Sequence, residues 1–156
     1  MISPETLRRY PFFGAFDDAQ LRQLAQISEV IELPKGTMLF NINDQADTFM
    51  LLMKGGVELN HIVQEEMRPE KRKEYAVGDV NPDEVLGFSS VIKPYRYTAS
   101  ARVTSPVANL IRLDAVKLRT WMEKDPAFGM LWMHQTSQQL LLRLNIVRVQ
   151  LAAAWA

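Results

Sequence analysis

His61 and His134 are the only imidazoles in the chain, and there is no cysteine. Without cysteine there are no disulfides, thiolate metal ligands, iron–sulfur clusters or sulfur nucleophiles. A metal-dependent enzyme of the roll-shaped kind needs two or three clustered histidines and a carboxylate, which two isolated histidines do not supply. A haem sensor needs an axial ligand. The one candidate, His134, reads as a polar position on an amphipathic helix. Ser89 and Ser90 form a hydroxyl pair with no nearby signal for an activating base. Neither a phosphate-cradling GxxxxGK[ST] loop nor a dinucleotide fingerprint is present. The sequence therefore predicts a protein that is not an enzyme and has no metal.

Bulk composition narrows the class further. The 156 residues match one domain, and 18 Lys plus Arg balance 18 Asp plus Glu, so no global field favours nucleic acid or an anionic membrane. The apolar runs fall short of the ~20 residues a membrane span needs, and the opening Met1-Ile2-Ser3-Pro4-Glu5 has no signal-peptide character. The expected location is the cytoplasm.

The order of elements sets the fold class. Residues 1–28 read as a helical segment: a short helix stopped by Pro11, then Asp17 as N-cap with Gln20 three residues on, ahead of Leu21, Leu24, Ala25 and Ile27. Residues 29–113 carry about eight short strands with turn signals between them. The register of Glu29–Leu33 needs a small irregularity if Val30 and Leu33 are to share a face. Gly55-Gly56 is expected to close a hairpin between Thr48–Met53 and Val57–Val63, and the mixed-charge run Glu65–Glu74 to be a solvated hairpin loop. Residues 114–156 return to helix, with Asp114 capping a short one and Asp125-Pro126 opening a long one. Helices, strands, then helices predict a mainly β fold, a small antiparallel barrel or roll flanked by helical ends.

These turns, in this order, resemble the effector domain of the cyclic-nucleotide-binding family, which includes catabolite activators and kinase regulatory subunits. The carriers are Tyr10-Pro11-Phe12-Phe13, Gly36, Asn43-Asp44-Gln45-Ala46-Asp47 and Leu52-Met53-Lys54-Gly55-Gly56-Val57. The resemblance implies a jelly-roll (double-stranded β-helix) domain with a phosphate-binding cassette at residues 86–101. In the family, a Gly-Glu phrase opens the cassette and a Pro-Arg-Ala-Ala phrase closes it. The glutamate accepts from a ribose hydroxyl and the arginine neutralises the cyclic phosphate.

Here the cassette departs from that pattern. Its implied pocket residues are Leu86, Gly87, Phe88, Ser89, Ser90, Val91, Arg96, Tyr97 and Thr98. Phe88 replaces the glutamate, Tyr97 falls at the arginine's place, and Arg96 sits one residue early, on the opposite face of an extended segment unless a bulge returns it. The phrase Pro94-Tyr95-Arg96-Tyr97-Thr98 resembles a branch of the family that carries an aromatic in place of the glutamate. A lost charged hydrogen-bond partner costs about 1.5–3 kcal/mol. Tight binding of cAMP or cGMP is therefore not expected. The site keeps physiological cyclic-nucleotide binding, takes another small anionic ligand in the same pocket, or is structural.

In the long helix, Met130, Met133, Leu140, Leu144, Val147, Leu151 and Ala154 recur at spacings of three and four, a heptad seam. The family dimerises through this helix, which implies a homodimer with Met133, Leu140, Leu144, Val147 and Leu151 at its interface. The alternative is a monomer in which this seam and a second stripe, Leu142, Ile146 and Val149, both pack on the roll. Arg143 and Leu144 fall where catabolite activators carry base-reading hydroxyls, so Arg143 either reaches an anion in the pocket or lies in solvent. With no helix-turn-helix after Trp155-Ala156, direct DNA binding is not expected. Together these readings predict a non-catalytic sensor or regulatory domain with a degenerate cassette. The alternative is a ligand-free interaction or scaffolding protein that keeps only the fold.

Overall fold

The computed structural model describes residues 1–156. Capping residues start the helices where the sequence places them. Asp17 accepts from the Gln20 backbone N–H while the Gln20 side chain accepts from the Asp17 N–H, opening α2 (Asp18–Gln26) behind α1 (Pro4–Arg8) and a 3₁₀ turn at Pro11–Ala15. Asp114 caps α3 (Ala115–Lys124) through the Lys117 N–H. Asp125 caps α4 (Pro126–Trp155) through the Phe128 N–H. No helix is long and apolar enough to cross a membrane.

Between these helices lie eight strands: β1 (Ser28–Pro34), β2 (Met38–Phe40), β3 (Thr48–Lys54), β4 (Val57–Glu65), β5 (Arg68–Val80), β6 (Val85–Leu86), β7 (Ser100–Val103) and β8 (Val107–Asp114). They form two antiparallel four-stranded sheets, ordered β1-β8-β3-β6 and β2-β7-β4-β5. This is the jelly roll that the family resemblance implied.

The apolar pattern accounts for the layering. Strand β3 is apolar at consecutive positions because both its faces are buried. Met50 and Leu52 point between the sheets, where they meet Phe40, Val57, Leu86 and Leu110. Phe49 and Leu51 point outward under the helices, against Phe12, Leu24, Leu118 and Trp132. Strand β8 divides in the same way, with Leu110 inward and Ile111 and Leu113 outward. The helical termini are therefore the cover of the first sheet rather than appendages.

Three expectations need correction. Strand β1 pairs with β8 in unbroken register, so no irregularity intervenes; Ile31 and Leu33 pack against the inter-sheet core and Val30 faces solvent. Gly55-Gly56 is a corner and not a hairpin, because β3 and β4 lie in different sheets. Gly55 sits at φ +100°, where a Cβ would stand 2.5 Å from the Val107 carbonyl oxygen, so only glycine lets the chain cross there. Finally, Glu65–Glu74 is the solvated hairpin expected, but most of it is strand and little of it loop. The turn is only Glu66-Met67, and cross-strand pairs such as Glu65 with Arg68 and Ile62 with Glu74 continue the ladder out into solvent. Charge on both faces hid the alternation that marks a half-buried strand.

Trp132 of α4 joins the layers. It is fully buried, with ring centroids 5.1 Å from Phe12, 5.1 Å from Phe49 and 5.5 Å from Phe16. Trp132→Ala is expected to lower unfolding stability in urea by about 3–5 kcal/mol. A loss below about 1 kcal/mol would show that the helical cover is not part of the cooperative fold.

Candidate functional site

The cassette begins at Gly87, which leaves β6 at φ +84° with its Cα so close to β3 that a Cβ would lie 2.7 Å from the Thr48 carbonyl oxygen. A 3₁₀ turn, Phe88–Val91, follows, closed by the Ser90 hydroxyl donating to the Gly87 carbonyl at 2.6 Å. The chain then returns along the loop between β2 and β3. Asn43 N–H donates to Tyr97 O, Tyr97 N–H to Asp44 O, and Ala46 N–H to Tyr95 O, at 2.8, 3.0 and 2.7 Å. Asn43 at φ +73° and Tyr95 at φ +58° make the bends that this zipper requires.

Arg119 of α3 ties the assembly from below. Its Nη1 donates to Ala46 O at 3.0 Å and Ser90 O at 2.7 Å, its Nη2 lies 3.3 Å from Asp47 Oδ1, and its guanidinium carbon is 4.2 Å from the Tyr95 ring centroid. One largely buried cation thus fixes the loop, the turn and the helix together. The sequence offered no signal for it, since its spacing is that of any arginine on a helix.

This frame borders a cavity of about 290 Å³ that also reaches α4. Of the residues implied by the cassette, Leu86, Gly87, Phe88, Ser89, Arg96, Tyr97 and Thr98 line it, as does Arg143. Ser90 and Val91 do not. The tight turn directs Ser90 into its own backbone contact and Val91 into the core beneath the helices. Phe40, Leu59 and Leu140 complete the apolar wall, and Lys93 stands at the rim. The wall carries three cations, Lys93, Arg96 and Arg143, and no carboxylate, although the whole chain is electrically balanced.

The two arginines differ in kind. Arg96 is exposed, and its Nη1 donates to the Asn43 carbonyl at 3.0 Å, so no bulge turns it fully inward. Beside it Tyr97 is buried and stacked on Phe40 at 3.8 Å, with its hydroxyl donating to Thr48 O at 3.0 Å. Burial pushes the Tyr97 phenol above its usual range and keeps that donor protonated. Arg143, by contrast, does not lie in solvent; its side chain is only 20 % exposed. Nη2 donates to the Val85 carbonyl at 2.8 Å and to Glu84 Oε2 at 3.3 Å, and the guanidinium carbon lies 5.1 Å from the Phe88 ring centroid. Burial lowers its pKa, and the opposing attraction of Glu84 does not fully offset this. The ring at the glutamate's place therefore supports a cation delivered by the long helix.

The rest of α4 corrects a further reading. Phe128, Gly129, Trp132 and Thr136 are its buried residues; Leu140, Leu144, Val147 and Leu151 are exposed, and so are Leu142, Ile146 and Val149. The two apolar stripes do not both pack on the roll. Met133 is half-buried against the core and, with Met122 and Met130, lines a separate groove of about 610 Å³. His134 is exposed and pairs with Gln138, and no group of three or more His, Asp or Glu side chains gathers as a metal site would require.

The family model described as the cyclic nucleotide-binding domain matches residues 30–125. No curated protein matches the sequence. Among solved structures, a protein of Geobacter metallireducens described as a cyclic nucleotide-binding protein is 39 % identical, with a TM-score of 0.80 over 92 % of this chain and 99 % of that one. A cyclic nucleotide-binding domain of Methylobacillus flagellatus is 19 % identical, with a TM-score of 0.75 over 96 % of this chain and 80 % of that one. The regulatory domain of Toxoplasma gondii PKA, crystallised with cAMP, shares the fold at 10 % identity and a TM-score of 0.70, over 86 % of this chain and 47 % of that one. The family match runs from the first strand through the cassette to α3, more than half of the sequence, and on that ground the chain belongs to the cyclic nucleotide-binding domain family.

Proposed function

We propose that this domain is a non-catalytic sensor whose cassette cavity takes a small anionic ligand, with Arg143 of α4, rather than a cassette arginine, as the principal counter-ion. The observation that carries this reading is the cavity's charge: three cations and no carboxylate, one of the cations largely withdrawn from water. A desolvated guanidinium with unpaired donors favours an anion strongly. In the absence of an acceptor at Phe88, a ribose hydroxyl gains no charged partner, so cAMP and cGMP bind weakly or yield to another anion. The exposed apolar seam on α4 supports a homodimer, through which an altered helix position would be passed to a partner.

A second reading has its own observation. Arg143 already has Glu84, and Arg96 already has the Asn43 carbonyl, as would hold in a scaffold that keeps the fold and binds nothing there.

Calorimetric titration with cAMP, cGMP and a panel of cyclic dinucleotides separates the two. The sensor reading predicts micromolar or tighter binding by at least one of these anions. Arg143→Ala should weaken it by about 10- to 100-fold and exposed Arg96→Ala by less. No heat from any of them, with unfolding temperature unmoved, would favour the scaffold. For the assembly, light scattering should give twice the chain mass, and Leu144→Asp, which places a charge in the seam, should halve it. A monomeric mass for the unaltered protein at high concentration would contradict the dimer.

A further inference from the structure

From Leu140 to Ala156 every residue of the chain is exposed except Arg143. The two hydrogen bonds that Arg143 donates to Glu84 and Val85 are the only ones that leave this stretch for the roll. Half of a 30-residue helix thus has one polar attachment, and that attachment also lines the cassette cavity.

The receiving side is rigid. Glu84 Oε1 accepts from the Asn81 backbone N–H at 3.3 Å and from Asn81 Nδ2 at 3.1 Å, which leaves Oε2 for the helix. The turn itself is bound to β3, with Asp83 N–H donating to Leu52 O at 2.8 Å and Leu52 N–H donating to Glu84 O at 3.0 Å. Glu84 is outside the cavity wall, whereas Arg143 belongs to it. On Arg143, Nε and Nη1 make no hydrogen bond within the chain. The guanidinium therefore has one edge on a fixed carboxylate and donors left for an anion in the cavity.

We infer that Glu84 is an internal competitor for the ligand's anion, an ionic latch that holds the distal half of α4 against the roll until an anion in the cassette cavity draws Arg143 away. This rests on the ligand reading proposed above and adds its regulation. Two anions on one largely dry guanidinium repel each other, so occupancy of the cavity weakens the Glu84 contact. Because the coupling is reciprocal, whatever loosens the latch on the Glu84 side, leaving Arg143 in place, must tighten the ligand. Leu144, Val147 and Leu151 of the proposed seam are already exposed and ride on the same stretch of helix, so the latch links cavity occupancy to where α4 holds that seam.

Glu84→Gln tests this, since the amide keeps an acceptor for Asn81 while removing the charge. In the absence of any anion, amide hydrogen exchange across residues 140–155 should quicken, with exchange in β3 and β8 unchanged as the control for folding. Titration with cAMP, and separately with inorganic phosphate, should show binding about fivefold tighter than to the unaltered protein. Arg143→Ala should show the same quickened exchange but lose the anion. Unchanged exchange in Glu84→Gln, or an identical midpoint in the two proteins, overturns the latch while leaving the ligand site intact. Quickened exchange with neither anion, nor any of the cyclic dinucleotides, bound by either protein overturns the competition and the ligand reading together.

Discussion

A guanidinium removed from water must find acceptors for its donors and negative charge close by, or its burial is unfavourable. In this domain that condition falls on Arg143, which the long helix carries into the boundary between the roll and the cassette cavity. Much of the surrounding architecture answers it. The Phe88 ring offers a face, Val85 offers a carbonyl, and Glu84 offers charge from just outside the cavity. Each partner comes from the β5–β6 turn or the start of the cassette, so the position of α4 and the shape of the cassette are not independent.

The frame around the cavity is the family's, and its physics is local. Gly87 permits an approach to Thr48 that no side chain would allow, and the loop at residues 43–46 is stitched to residues 95–97 by backbone hydrogen bonds. Arg119 locks that stitch to α3. None of this requires a cassette arginine or glutamate. On the function proposed above, the cation that meets the anion comes from the helix instead of the cassette, and Phe88 gives it a ring face to rest on. A glutamate at Phe88 would stand beside Arg143 and compete with any ligand for it, the role proposed for Glu84 from outside.

Much of this was legible in the residues. Asp17, Asp114 and Asp125 announce their helices because a capping side chain acts within one turn. The order of the turns announced the roll, and Gly87 and the displaced Arg96 fell where the cassette implied. What escaped depends on contacts between distant segments. Gly55-Gly56 looks like a hairpin locally and is a corner because the strands it joins lie in different sheets, which pair with distant segments. The β4–β5 arm is solvated on both faces and carries no alternation. Neither Glu84 nor Arg119 has a sequence signal for its role, since each acts on partners dozens of residues away. Whether Arg143 faced solvent or the cavity was open for the same reason: helical spacing gives its angle on α4 but not where the roll stands.

The claim on which the account turns is that Arg143, and not Arg96, is the cation that meets a ligand. The side-chain Nε–H resonances of the two arginines, followed by nuclear magnetic resonance while cAMP is raised into the millimolar range, test it most directly. The account predicts that the Arg143 signal moves with saturation while the Arg96 signal, held by Asn43 at the rim, moves little. Movement of Arg96 with Arg143 unchanged would contradict it.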